Sequence, residues 1–167
     1  MPHSFIGLRE LLVALVFSAS LTPAFAQAPA ADAAAENEAI VREAFDEWST
    51  GGNVFEILAD DVAWTIHGSG PVAGTYNGVE DFVERGSRPL VSRLSAPLVP
   101  EVHHIWAVGD RVIIRFDASS TTTGGHPYNN SFVWIFRMED GSVVEAEAFL
   151  DLAAYQEVVD NNEPRVP

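Results

Sequence analysis

The sequence contains no cysteine and no lysine among its 167 residues. The lack of cysteine excludes disulfide bonds, a thiol nucleophile, cysteine metal ligands and a lipid-modified N-terminal cysteine. Because there is no lysine, all nine basic residues are arginines. The chain also has 24 acidic residues, and the formal net charge is -15. Because such a surface repels phosphate backbones and anionic lipid headgroups, we expect no nucleic-acid partner. Without disulfide bonds or cysteine metal sites, side-chain packing alone has to stabilise the fold.

Long apolar runs are equally scarce, and the most prominent one lies near the N-terminus. Arg9 precedes an apolar run over residues 11–17, and Pro23 with the triplet Ala24-Phe25-Ala26 precedes Gln27. This order is typical of a cleavable secretory signal. The run has roughly half of the ~20 residues that a membrane-spanning helix needs. The sequence therefore predicts a signal peptide over residues 1–26, a secreted or periplasmic protein, and no membrane association after cleavage.

The remaining chain is predicted to form one domain. Residues 27–35 are rich in Ala with Pro and indicate a flexible linker. The domain spans residues 36–160, and residues 161–167 form a C-terminal tail. No motif in the sequence indicates a cofactor or a metal.

The hydrophobic periodicity within the domain changes from helical to alternating. Helices are predicted over residues 35–50, 53–58, 78–94 and 151–159, and strands over 61–67, 98–108, 111–119, 128–138 and 142–150. Gly109-Asp110 and Asp140-Gly141 are typical hairpin turns. Residues 68–78 are predicted to be a loop. This layout favours an α+β fold in which helices cover one face of a bent sheet and leave a cavity between the layers.

Four segments carry a family resemblance: DVAWTIHG at 61–68, GTYNG at 74–78, GHPYNN at 125–130, and DGSVV with AFLD within 140–151. They resemble the SnoaL-like branch of the nuclear transport factor 2-like superfamily, which includes ketosteroid isomerases, polyketide cyclases and limonene epoxide hydrolases. The resemblance covers roughly residues 36–160. It implies a cone-shaped fold, with a curved mixed sheet wrapped by three to four helices around an apolar pocket, and dimerisation through the sheet.

Arg115 and Asp117 are the first candidate catalytic residues. They lie two apart on one predicted strand, so they share a face about 6.6 Å apart along the chain. The pair matches the Arg-x-Asp motif of the epoxide hydrolases, but Ala148 stands where that family has its second carboxylate. Epoxide hydrolysis is therefore disfavoured. The pair is either a self-satisfied ion pair or a ligand-contacting pair pointing into the pocket.

His67 is the third candidate catalytic residue, because it ends a strand beside the glycine-rich loop that would rim the pocket. It is either a proton shuttle or a hydrogen-bonded rim histidine. Asp151 precedes the last helix and is interpreted as its N-terminal cap. His103 and His104 are adjacent on a strand and are expected to face opposite sides, which argues against shared metal binding.

The predicted ligand-binding residues are largely aromatic. Alternation on one strand puts Asn130, Phe132 and Trp134 on a common face, which the resemblance places inward, together with Trp64 and Tyr76. We expect a small apolar or amphipathic ligand. The favoured function is binding of such a molecule, with isomerase- or cyclase-type proton transfer in which Asp117 or His67 is the base and Arg115 stabilises negative charge.

The alternative is a non-catalytic ligand-binding or dimerisation module. A homodimer is expected from the resemblance and from the outward-facing Val133 and Ile135.

Overall fold

The computed structural model describes residues 28–165, with side chains from Asp32 onward. The helices are α1 (Ala28–Ser49), α2 (Val79–Phe82), α3 (Arg88–Val91) and α4 (Leu152–Asn161), with a 3₁₀ turn at Val54–Ile57 and a π-helical turn at Val83–Ser87. The strands are β1 (Leu58–Ile66), β2 (Gly74–Asn77), β3 (Val99–Val108), β4 (Arg111–Thr121), β5 (Pro127–Glu139) and β6 (Ser142–Leu150). The predicted signal peptide lies outside the described residues.

The six strands form one mixed sheet in the order β2-β1-β6-β5-β4-β3. β1 and β6 pair in parallel, and all other neighbours are antiparallel. The β5–β6 hairpin turns at Asp140 and Gly141, whose φ angles of 48° and 79° are left-handed. Asn or Asp followed by Gly suits this geometry because it tolerates positive φ. The α+β prediction with a curved sheet is confirmed.

The helices cover one side of the sheet, which we call the inner face. Strand β5 shows the alternation behind it: Asn130, Phe132, Trp134 and Phe136 are buried, whereas the residues between them are exposed or half-buried. α1 packs against β3 and β4. Its buried ring, Phe45, lies 5.7 Å from the Trp134 ring. The opposite side of the sheet, the outer face, is not covered by the helices.

Two segments differ from the sequence prediction. α1 begins at Ala28, so residues 28–35, predicted to be a flexible linker, are helical; alanine has the highest helix propensity of all residues. β2 lies within the predicted loop and pairs with β1, from Thr75 opposite Thr65 to Asn77 opposite Ala63. Four residues are too few to give a recognisable alternation. No helix within residues 28–165 is long and apolar enough to cross a membrane.

β3 contains an irregularity that changes the expected orientation of two histidines. The β3–β4 register shifts between Val102 and His104, which leaves His103 as an extra residue. His103 Nε2 lies 2.8 Å from Asp117 Oδ2, and the His104 ring stacks on Trp106 at 4.9 Å. A bulge sets two residues against one partner, which interrupts the alternation of side chains along the strand. The prediction that these two histidines face opposite sides is therefore wrong.

Candidate functional site

A small cavity lies between the inner face of the sheet and the helices. Its volume is about 70 Å³. Its walls are predominantly aromatic and aliphatic, and the lining residues are Trp48, Phe55, Trp64, Ile66, Phe82, Gly86, Ser87, Leu90, Val91, Leu98, Phe132, Trp134, Ala148, Leu150 and Tyr155. Inside the cone, side chains therefore fill most of the space that the sequence analysis expected to be open.

The aromatic walls hold one another in place. The Phe82 ring stacks on Trp64 with centroids 3.9 Å apart and an interplanar angle of 14°. Trp134 meets Trp64 edge to face at 5.0 Å, and the Trp48 and Trp134 rings are nearly parallel at 5.8 Å. Offset and edge-to-face contacts of this kind are the favoured aromatic geometries. The cavity is therefore built by rings from α1, α2, β1 and β5.

Few polar groups reach this cavity. Tyr155 donates its hydroxyl to the carbonyl oxygen of Gly86 at 3.0 Å, and burial raises the pKa of this tyrosine. Ser87 is the other polar residue of the lining. Trp64 is 1% exposed, and its Nε1 is buried without a hydrogen-bond partner. Within residues 28–165, no charged side chain lines the cavity.

Arg115 and Asp117 do not point into the cavity, so the prediction of a ligand-contacting pair is wrong, and the alternative, a self-satisfied ion pair, describes them. Both are only half-buried and alternate with Ile114, Phe116 and Ala118, which are buried against the inner face. The pair therefore projects from the outer face. The sequence already indicated this orientation. The apolar residues of β4 occupy alternate positions, and Arg115 and Asp117 lie at the positions between them.

On the outer face Asp117 is the centre of a hydrogen-bonded cluster. It accepts from Ser131 Oγ at 2.6 Å and from Arg115 Nη1 at 2.7 Å, and His103 Nε2 lies 2.8 Å away. The hydrogen bonds from Ser131, Arg115 and His103 hold the pKa of Asp117 well below its usual range. A carboxylate stabilised in its charged form is a weak general base. Asp117 and Ser131 line an open polar groove rather than the cavity.

His67 is also on the outer face. Its Nε2 lies 2.8 Å from Glu147 Oε2, and its ring stacks on Phe149 with centroids 4.5 Å apart. Its side chain is 39% exposed. The expectation that His67 contacts a ligand in the central pocket is wrong, whereas the alternative of a hydrogen-bonded histidine fits its contact with Glu147. His67 follows Ile66, whose side chain lies on the inner face, and strand residues alternate between faces.

Trp64, Phe132 and Trp134 lie in the cavity wall, whereas Tyr76 and Asn130 do not. Tyr76 is buried beside the cavity wall, where its hydroxyl donates to the Val72 carbonyl at 2.6 Å. Burial is the largest effect on the pKa of Tyr76, and it raises that pKa. Both residues were predicted to contact ligand, so their placement in the pocket is corrected.

The Asn130 amide is used within the protein. Its Nδ2 donates to Tyr128 Oη and to the Asp151 carbonyl, both at 2.9 Å, and its Oδ1 accepts from the amides of Asp151 and Ser131. Burial raises the pKa of Tyr128 to about 12. Asp151 Oδ1 in turn accepts from the amides of Ala153 and Ala154, which confirms that Asp151 caps α4.

Sequence reasoning missed several wall residues. Trp48 and Phe55 were predicted to lie in or beside helices but were not assigned to the pocket, and Phe82, Leu90 and Tyr155 were not predicted to line it. Their apolar character at helical spacing marked them as buried, but periodicity does not separate a core position from a cavity wall. Within the part of the chain that the structure describes, no cluster of His, Cys, Asp or Glu could hold a metal ion.

The curved mixed sheet, covered on one face by helices around an aromatic cavity, has the architecture of the nuclear transport factor 2-like (NTF2-like) fold. The model of the SnoaL-like domain family matches residues 30–146. The chain therefore belongs to the SnoaL-like domain family. No curated protein matches the chain.

Solved structures show the same fold at low sequence identity. Bal32a, from a soil-derived mobile gene cassette, is 21% identical, with a TM-score of 0.63 over 75% of this chain and 98% of that one. An NTF2-like protein from Burkholderia thailandensis E264 is 21% identical, with a TM-score of 0.60 over 73% and 95%. A protein with a ketosteroid isomerase-like fold from Catenulispora acidiphila, in complex with trimethylamine, is 15% identical, with a TM-score of 0.56 over 72% and 92%.

Proposed function

We propose that this domain binds a small, uncharged, largely apolar molecule in the aromatic cavity, without acid–base catalysis at that site. The observation that carries the proposal is the lining of the cavity, in which every side chain described is uncharged and most are apolar. A charged ligand would lose its hydration there and find no counter-ion, at a cost of several kcal/mol. Contact with aromatic faces returns about 0.5–2 kcal/mol to a cation, which is less than that cost.

The cavity volume limits the size of the ligand. At about 70 Å³ it has less than half of the ~150 Å³ of an engineered cavity that binds benzene. Trp48 and Leu98 are half-buried and Val91 is 38% exposed, so these lining residues mark the side open to solvent. A larger ligand would have to displace a side chain of the lining.

Proton transfer of the isomerase or cyclase type has weaker support. A general base has to come within hydrogen-bond reach of the proton that it removes. Asp117 and His67 project from the outer face, away from the cavity, and each is engaged by neighbouring side chains. Tyr155 is the titratable residue in the lining; its pKa is raised and its hydroxyl already donates to Gly86. The arrangement therefore favours binding over catalysis.

A ligand titration tests the proposal. Tryptophan fluorescence of the purified domain is followed against neutral ketones and hydrocarbons of increasing size. We expect saturable binding for the smallest members and at least a tenfold loss in the Ala148→Leu variant, because Ala148 lines the cavity and is 2% exposed. Asp117→Asn is the matched control and should bind as the unmodified protein does. Absence of saturable binding across the series, or equal binding by Ala148→Leu, would contradict the proposal.

We further propose that the outer face pairs with a second copy of the chain. Phe149 is 40% and Trp106 is 49% exposed there, beside the half-buried Ile113, Val133 and Ile135. The charged side chains between them are paired, with Arg137 Nη2 2.8 Å from Glu145 Oε1. Burying such a face costs less than burying unpaired charges. Apolar side chains in the centre of a paired polar surface are typical of a protein–protein interface.

Export remains a proposal that rests on the sequence of residues 1–26. Expression of the full chain in a Gram-negative host, followed by fractionation and N-terminal sequencing, tests it. We expect the protein in the periplasmic or extracellular fraction with Gln27 as its first residue. Recovery in the cytoplasm with residues 1–26 retained would contradict it.

A further inference from the structure

After α4 the chain continues as a short segment outside any helix or strand, residues 162–165, which contacts the end of α3. The backbone N–H of Arg165 donates to the Ser92 carbonyl at 2.7 Å. The Thr123 hydroxyl, in the connection between β4 and β5, donates to the Glu163 carbonyl at 2.8 Å. The segment therefore joins the end of α3 to this connection, and we call residues 162–165 the C-terminal strap.

Arg93 connects the strap to α3 through its side chain. Its Nε donates to the Asn162 carbonyl and its Nη1 to the Pro89 carbonyl, both at 2.8 Å. Asn162 directly follows α4 and Pro89 lies in α3, so both acceptors belong to helix ends, where carbonyls lack partners within the helix. The planar guanidinium holds several N–H donors in a fixed arrangement, which allows one side chain to satisfy both carbonyls.

α3 depends on such contacts because it is short. Its four residues are far fewer than the ~12–15 that an isolated helix needs to be stable in water. It packs mainly against the π-helical turn and α4. The amides of Ser92 and Arg93 donate to the carbonyls of Arg88 and Leu90, so its last turn closes at the residues that the strap contacts. The strap and Arg93 therefore hold the C-terminal end of α3.

α3 is also a wall of the cavity. Leu90 and Val91 line it and are 5% and 38% exposed, so α3 lies between the cavity and solvent on this side. Other walls, such as Trp64 and Trp134, belong to strands of the sheet and meet edge to face at 5.0 Å. We propose that the C-terminal strap sets the upper size limit of the ligand by holding α3 at the cavity, with Arg93 as the positioning residue. This inference rests on the proposed function, because it concerns which neutral molecules the same cavity admits.

The strap acts on the population of molecules in which α3 is displaced. With α3 held, the cavity has its volume of about 70 Å³. A ligand that needs more space binds only to molecules with α3 displaced, so its apparent affinity is reduced by the fraction of such molecules. Weakening the strap raises this fraction and tightens the binding of larger ligands. A ligand that fits the resting cavity gains nothing from the change.

Hydrogen exchange tests the hold of the strap on α3 without any ligand. Exchange of residues 88–94 is compared with that of β5 by mass spectrometry in the unmodified protein, in Arg93→Met and in a chain that ends at Asn161. We expect residues 88–94 to exchange about tenfold faster in both variants, because one lost hydrogen bond shifts a local opening equilibrium by about that factor. Exchange in β5 should stay the same. Arg93→Met keeps the full chain, so the test stands even if the shortened chain folds poorly.

Arg88→Met is the matched control for Arg93→Met. Arg88 is an exposed arginine of the same helix, and it donates to Glu84 rather than to the strap. Loss of an exposed pair four residues apart on a helix should change the exchange of residues 88–94 by no more than about twofold.

A ligand titration tests the size limit. Tryptophan fluorescence is followed against neutral ketones of increasing size for the unmodified protein, Arg93→Met and Arg88→Met. The ketones beyond the size limit of the unmodified protein should bind about tenfold more tightly to Arg93→Met, the same factor by which its α3 exchange rises. The smallest ketones should bind all three proteins within about twofold. A purely structural role for Arg93 would change stability without this dependence on ligand size.

The outcomes separate this inference from the function on which it rests. Unchanged exchange of residues 88–94, or equal acceleration there and in β5, would show that the strap does not hold α3 and would overturn the inference. Faster exchange of α3 with an unaltered size profile would also overturn it, while binding by the cavity would stand. If no ketone binds to the unmodified protein or to Arg93→Met, the proposed function itself fails, and the size limit fails with it.

Discussion

Arg115 Nη1 lies 2.7 Å from Asp117 Oδ1 on the outer face of β4, whereas Phe116 between them is fully buried on the inner face. The ion pair and the cavity therefore lie on opposite sides of the sheet. Substitutions in the pair should change stability without changing ligand binding. A structural role for the Arg115–Asp117 pair can therefore be distinguished from a role in the cavity by measuring stability and ligand binding separately.

The Asp117→Asn variant should be less stable than the unmodified protein at pH 7. The pKa of Asp117 is lowered in the folded state, so its ionised form stabilises the fold at pH values above the unfolded-state pKa of about 3.9. That stabilisation is lost as the pH falls through the lower, folded-state pKa. Thermal unfolding should therefore show a difference in melting temperature at pH 7 that shrinks in acid.

Asp60→Asn is the control for this experiment, since Asp60 is an exposed carboxylate on β1. Its melting temperature should stay close to that of the unmodified protein at pH 7. A constant difference between Asp117→Asn and the unmodified protein from neutral to acid pH would show that the effect is not electrostatic.

Asn130→Ala should destabilise the fold strongly. Asn130 is 6% exposed and connects β5 to the start of α4 by bonds to the amide and the carbonyl of Asp151. Its removal leaves buried polar groups without partners, at an expected cost of about 2–4 kcal/mol in the free energy of unfolding. Asn129→Ala, at the exposed neighbouring position, should cost no more than about 0.5 kcal/mol. Equal denaturant midpoints for the two variants would argue against this role.

The alternation of the strands made most of the fold predictable. β5 and β6 were placed to within a residue or two because alternating apolar positions end at Asp140-Gly141, a turn whose left-handed backbone favours this dipeptide. The cap of α4 was predictable because Asp151 immediately precedes an apolar helical segment. Such features depend on neighbouring residues alone, and the sequence contains them directly.

The candidate site was harder to predict, because it depends on which face of the sheet the helices cover. The family motif suggested that Arg115 and Asp117 point inward, whereas the apolar residues of β4 take that face. The bulge at His103 has no sequence signal that we recognise. The near-filling of the cavity follows from ring sizes and rotamers at Trp64, Phe82 and Trp134, which alternation does not determine.

The Ile135→Lys variant should be monomeric under conditions in which the unmodified protein is a dimer. Ile135 projects from the centre of the outer face, next to Glu147 on β6, so the new charge has a partner within the chain and the fold is retained. At an interface the same lysine would be desolvated, which disfavours association. Multi-angle light scattering at micromolar concentration measures the mass of both proteins.

Val83→Lys is the control for the dimer, since Val83 is 37% exposed on the helical side of the molecule. It should leave the mass unchanged. A monomeric mass for the unmodified protein, or dissociation by Val83→Lys as readily as by Ile135→Lys, would contradict pairing through the outer face.

Gly86→Ala should lower stability even though alanine is the better helix former by about 1 kcal/mol. A Cβ atom at Gly86 would lie 2.8 Å from Cδ2 of Phe82, closer than van der Waals contact allows. Phe82 is in turn stacked on Trp64, so the ring cannot shift without disturbing the cavity wall. Overpacking of this kind costs about 1–3 kcal/mol, which outweighs the gain in helix propensity.

The same substitution should weaken ligand binding, because Gly86 and Phe82 both line the cavity. Ser87→Ala, at the adjacent lining position, removes a hydroxyl without adding volume and serves as the control. Chemical denaturation and the fluorescence titration measure the two effects separately. The prediction would be contradicted if Gly86→Ala were as stable as Ser87→Ala and bound the smallest ketones equally well. Phe82 would then be free to move, and the cavity could expand in solution.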